Sequence, residues 1–224
     1  MSVCGNRAYC QRTYNGNSIT VKNGLCRETM GEGIQFYGGG PGAPIADGVQ
    51  IANNVVLNMD IRDTGLAFID LGGSGDNLGM GVVVKNCSAC AVIGNRVQNT
   101  VGPAIHVTTS TTAGMQSAGV SIDSNEITNF SHRCPAPCTE SRTFTAINIE
   151  PQNSMPMGAV RDVSVTNNVM HNETFVSNQG EAPEGVVVSD SGFTPVSGVV
   201  IANNSFNRDM VGRGLNRSES GKPM

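Results

Sequence analysis

Asp70, His106, Asn148 and Glu150 are the residues of this chain whose types could do chemistry together. Two carboxylates two strand spacings apart would be separated by roughly 10 Å. That is near the upper end of the roughly 6.5–9.5 Å used by inverting glycoside hydrolases. A histidine between them could act as a general base or set a carboxylate's protonation state. Lys85 would add a cation for a uronic-acid carboxylate if its strand joins the same face. Gln35, Tyr37 and Asn148 supply hydrogen-bonding and ring surfaces for a bound ligand.

These residues are far apart in sequence, so repeated short strands must bring them together. The segments Gly33–Phe36, Gly65–Phe68, Ala104–Val107, Ala146–Ile149 and Gly185–Val188 read small, apolar, variable, apolar. Alternation of period two points the apolar residues inward and the variable residue outward. Stacked in order, the outward positions are Gln35, Ala67, His106, Asn148 and Val187. Two residues later come Tyr37, Ile69, Thr108, Glu150 and Ser189, with Asp70 one further along its rung. The competing expectation is that such outward positions are merely solvated. A one-residue slip in register would also turn the face inside out.

Between these segments lies a second motif, V-x-I-x-x-N-x-apolar. It occurs at Val49–Val56, Cys90–Val97, Val120–Ile127, Val163–Met170 and Val199–Phe206. Its asparagines are Asn54, Asn95, Asn125, Asn168 and Asn204. They recur at uneven intervals, which excludes strict solenoids and indicates a fixed motif with loops of different length. Ile19–Asn23 is a degenerate earlier copy. Val82–Asn86 is either a third strand of its turn or another degenerate motif. No stretch carries a capped 3.6 period, so the strands must be joined by short corners. Stacked turns would place the asparagines about 4.8 Å apart as a structural ladder at a corner.

The two motifs together resemble the right-handed parallel β-helix repeat proteins of the pectate-lyase-like superfamily, from about Ile19 to Phe206. The resemblance implies an all-β fold: one single-stranded right-handed parallel β-helix of about five to seven coils with irregular loops. Residues 1–18 would be a lead-in or cap, 19–207 the helix and 208–224 a polar tail. It also implies a polysaccharide substrate and an extracellular or cell-surface location, although no signal peptide is visible in this chain. The paired aspartates and Gly-His-Gly of polygalacturonases are absent. So are the Asp-Pro-His-Asp of mannuronan epimerases and the Arg-x-Pro-x-x-Arg of pectate lyases. No family catalytic residue therefore carries over.

Composition narrows the partners. Net charge is −4, lysines occur only at 22, 85 and 222, and no basic stripe exists, which excludes nucleic acid. No apolar run reaches the length of a membrane-spanning helix. The chain has 7 cysteines, an odd number. Cys90 takes the first motif position and reads as a buried small hydrophobe. Cys134 and Cys138 sit in the long insertion after Thr128 as a local disulfide, free thiols or, with His132, an incomplete metal set. No cofactor is required. Calcium is conceivable at Asp70, Asp76 and Asn77 against ordinary solvated turns. Nothing in the sequence bears on oligomeric state.

The sequence supports first a lyase or glycoside hydrolase using Asp70, His106, Glu150 and Lys85. The rival is a non-catalytic glycan-binding or surface-structural protein of tailspike or adhesin type, favoured by the missing catalytic signatures.

Overall fold

The motif asparagines sit at a corner only two residues long. In each copy, a strand ends two residues before the next begins, as between Ile93 and Arg96 or Asp123 and Glu126. The first corner residue is left-handed: Gly94, Ser124, Asn167 and Asn203 have φ between 55° and 62°. Gly and Asn tolerate that conformation with little steric cost. The second corner residue is the ladder asparagine.

The ladder is continuous among the described residues. The Oδ1 of Asn125 accepts both the main-chain N–H and the side-chain amide of Asn95, each at 2.9 Å. Asn168 accepts the same pair from Asn125, and Asn204 from Asn168. Each amide also donates to an earlier carbonyl: Asn125 to Val92, Asn168 to Ile122 and Asn204 to Val165. One buried side chain thus satisfies the main-chain groups of a corner that has no strand partner.

The computed structural model describes residues 3–4, 9–14, 20–23, 25–27, 32–38, 46–47, 50–52, 55–57, 80–100, 102–109, 115–130, 145–151, 158–172, 184–189 and 196–206. Within these the chain is all-β, without helices, in three open parallel sheets of seven, six and nine strands. Successive passes of the chain visit the sheets in a fixed order. Sheet 1 runs from Val3–Cys4 through Leu25–Arg27, Val55–Leu57, Arg96–Gln98, Glu126–Thr128 and Val169–His171 to Ser205–Phe206. Sheet 2 holds Tyr9–Tyr14, Glu32–Tyr37, Val82–Lys85, Ile105–Thr108, Thr145–Ile149 and Glu184–Val188. Sheet 3 holds the motif strands Thr20–Lys22, Gln50–Ala52, Ala91–Ile93, Met115–Asp123, Gly158–Thr166 and Val200–Ala202, with three short strands beside them. Asn54 and the segment Gly65–Phe68 lie outside the described residues.

The corner from sheet 3 to sheet 1 is constant, and length varies at the other two. Between sheets 1 and 2, Arg27 is followed closely by Glu32, whereas Leu57 and Val82 are separated by a long insertion. This accounts for the irregular spacing of the motif.

Two expectations are corrected. The rung after Glu32–Tyr37 is Val82–Lys85, which pairs with it on one side and with Ile105–Thr108 on the other. Val82–Lys85 is therefore a sheet 2 strand and not a degenerate motif. The small residue that opens the pattern was present as Gly81. A Cβ there would overlap the Val97 side chain and the Ala104 carbonyl, so only a residue without one fits. The second correction concerns solvation. Gln35, Val83, His106, Asn148 and Val187, on the face expected to point into water, are buried, whereas Tyr37, Lys85, Glu150 and Ser189 two residues further on are half-buried. A parallel sheet covered on both sides accepts a continuous apolar run such as Val82-Val83-Val84.

A further left-handed column, unrecognised in the sequence, precedes the motif: Ala89, Gly119, Asp162 and Gly198, with φ from 50° to 64°. It lets the residues on either side of each bend face the core.

Asn168→Ala should lower stability by about 1–3 kcal/mol, because it strands the Asn125 N–H and amide. Chemical denaturation of the two proteins checks this, and Asn168→Asp should recover part of the loss through its remaining acceptor oxygens.

Candidate functional site on sheet 2

The register of sheet 2 assembles two rows. Gln35 pairs with Val83, Val83 with His106, His106 with Asn148, and Asn148 with Val187. Tyr37 pairs with Lys85 and Lys85 with Thr108. The main-chain bonds Glu150 N–H to Val107 and Ser189 N–H to Ile149 extend the second row to Glu150 and Ser189. The expected rows therefore stand, with Val83 and Lys85 in place of Ala67 and Ile69. Lys85 joins the face, and its ammonium lies 5.3 Å from the centre of the Tyr37 ring, a cation–π distance. Asp70 lies outside the described residues.

His106 and Glu150 meet. Nε2 of His106 is 3.5 Å from Oε1 of Glu150, longer than a well-formed hydrogen bond. Nδ1 of His106 is 3.3 Å from the Sδ of Met80. The Ser189 hydroxyl donates to Oε2 of Glu150 at 3.0 Å. Met80 had no sequence signal; its place follows only from the strand that begins two residues later.

The two partners differ in exposure. The His106 side chain is 11% exposed and that of Glu150 34%. His106, nearly buried, with Nδ1 against Met80 and Nε2 only approaching Glu150 without a hydrogen bond, is a supporting group, and Glu150 is the one that meets the outside. Burial opposes ionisation of Glu150. The contact with His106 and the hydrogen bonds from Ser189 and Asn148 outweigh it and hold the carboxyl below its ordinary value.

That state limits the chemistry. A general acid at neutral pH needs its pKa raised, as in glycosidases that protonate the leaving oxygen. Glu150 is shifted the other way. A two-carboxylate mechanism also needs a second carboxylate at a defined distance, and the described part of these rows holds only Glu150. The carboxylate is suited to accepting hydrogen bonds or stabilising positive charge.

Three buried residues of the first row each hold a polar atom that lacks a hydrogen bond: Gln35 Oε1, His106 Nε2 and Asn148 Oδ1. No group of three or more His, Cys, Asp or Glu that could hold a metal occurs among the described residues. The calcium ligands considered above, Asp70, Asp76 and Asn77, fall outside them, as do Cys134 and Cys138. No described helix is long and apolar enough to cross a membrane. No known protein family, curated protein or solved structure matches the chain.

Glu150 has a depressed pKa in the folded state, so its contribution to stability is present above the ordinary value of 4.5. It is lost as pH falls through the folded value. Thermal melts across this acid range should show wild-type stability falling with pH. The fall should be shallower in Glu150→Gln, which has no carboxylate to protonate.

Proposed function

We propose that the chain is a single right-handed parallel β-helix of the pectate-lyase-like superfamily that engages a polysaccharide at the outer face of sheet 2. Support for the fold comes from three parallel sheets visited in constant order and a ladder that links successive passes. The observation that carries the functional reading is the partly exposed Glu150 carboxyl, braced by His106 and by the Ser189 hydroxyl and still open to an incoming group. A fixed carboxylate acceptor matches paired sugar hydroxyls. Its negative charge favours a neutral glycan over a polyuronate. Lys85 is drawn to the Tyr37 ring, two rungs from Glu150, and is not placed to cancel that charge locally.

Glycan binding without turnover takes precedence here over hydrolysis or elimination, because Glu150 can accept hydrogen bonds as it stands, whereas in a two-carboxylate hydrolysis it would serve only as base or nucleophile and need a second carboxyl as acid. Catalysis remains the second reading, favoured by the His106–Glu150 contact, which provides a path for a proton between imidazole and carboxylate. In that reading Asp70 supplies the missing second carboxylate. An extracellular or cell-surface setting belongs to the same proposal and rests on the resemblance.

Calorimetric titration with neutral and acidic glycans, run beside assays for unsaturated products and new reducing ends, tests both readings. Binding of a neutral glycan without turnover is expected. Glu150→Gln should weaken it about 10- to 100-fold, the loss of one charged hydrogen bond. Turnover that disappears in both Glu150→Gln and Asp70→Asn would establish the catalytic reading instead. Absence of binding to every glycan by folded protein would defeat both.

A further inference from the structure

Cys87 and Cys90 form a disulfide with a Cα–Cα distance of 6.1 Å, within the range such bridges span. The two residues are 0% and 2% exposed. Burial of Cys90 agrees with its motif position, but it is bridged rather than a free small hydrophobe. The pair flanks Ala89, which is left-handed at φ 50°.

The same pair of inward positions recurs in the next passes. Ser117 and Val120 flank Gly119, and Val160 and Val163 flank Asp162. Val196 and Val199 flank Gly198. Those bends carry Gly, which has no Cβ, or Asp, whose side chain can bond locally. Alanine has neither property, and its bend is the one with a covalent link across it.

We propose that the Cys87–Cys90 disulfide is a folding-coupled brace that holds the left-handed bend at Ala89 and is formed before the core closes. Its formation requires a disulfide oxidant, either a dithiol–disulfide oxidoreductase or an oxidised small thiol. One cysteine, as thiolate, attacks a sulfur of the oxidant and expels the first thiolate. The second attacks the mixed disulfide at the bonded cysteine and expels the other. Two electrons and two protons pass from the cysteines to the oxidant, which leaves as two thiols. Once the core packs around both sulfurs, exchange needs an approach that burial denies. The chain therefore matures in an oxidising compartment.

The bridge is directly readable. Trypsin cuts after Lys85 and Arg96, which places both cysteines in one peptide with no other cysteine. Protein produced through an oxidising compartment is treated with dithiothreitol, native or in denaturant, then alkylated, digested and weighed. The native sample should keep a peptide two hydrogens lighter than the dithiol, and the denatured sample should lose it. Free thiols in the native protein, or equal opening in both samples, overturns the proposal. The variant Cys87→Val/Cys90→Val, which copies Val160 and Val163, should melt lower than wild type. Adding Ala89→Gly should recover much of that loss, or restore folding if the double variant does not fold. No recovery means that the bridge does not support the bend, and the proposal fails.

Discussion

The structure depends on a corner that turns the chain between two sheets in two residues. A turn that tight leaves main-chain N–H groups with no strand opposite them, and they are buried. The asparagine meets the need because one amide both accepts and donates. Its oxygen takes two bonds from the pass before, and its nitrogen reaches a main-chain carbonyl there. The geometry requires a left-handed residue immediately before it, which is why Gly, Ser or Asn stands there. Everything else is free to vary in length only because this corner is not.

That division of labour places the site. Because register is pinned at the corner from sheet 3 to sheet 1, insertions between sheets 1 and 2 do not disturb the pairing of sheet 2 strands. His106 and Glu150 are separated by a long insertion yet stand on neighbouring rungs, His106 opposite Asn148 and Glu150 two residues further on. A one-residue slip would send these side chains to the opposite face, so the ladder also fixes which groups form the polar rows.

The sequence made the ladder legible because its motif repeats with one invariant element and strong alternation. The rows on sheet 2 were legible for the same reason at Gln35, His106, Asn148 and Glu150. Two things were not. Val82–Lys85 was hard to place because a triple valine lacks alternation, and it lacks alternation because the sheet is buried on both faces at those three valines. Met80 and the Cys87–Cys90 link depend on where a bend brings side chains together in space, which neither pattern nor period encodes. The left-handed column could have been found from the residue before each motif, Ala89, Gly119, Asp162 and Gly198. There the shared property is a backbone conformation rather than a residue type.

The polar members of the first row bear on what the site is for. Val83 and Val187 occupy the same row as Gln35, His106 and Asn148, so the fold accepts valine at this position. Burying a polar atom without a partner costs on the order of 1–3 kcal/mol, and this row does so three times. An apolar row would be the more stable one. Two of the three, His106 and Asn148, lie against Glu150 and keep it ionised. Their cost is coherent if the quantity maintained is the charge and position of that carboxylate, since stability alone would favour their replacement. Unmet polarity gathered around one accessible charged group is what the proposed recognition of a ligand at Glu150 would require.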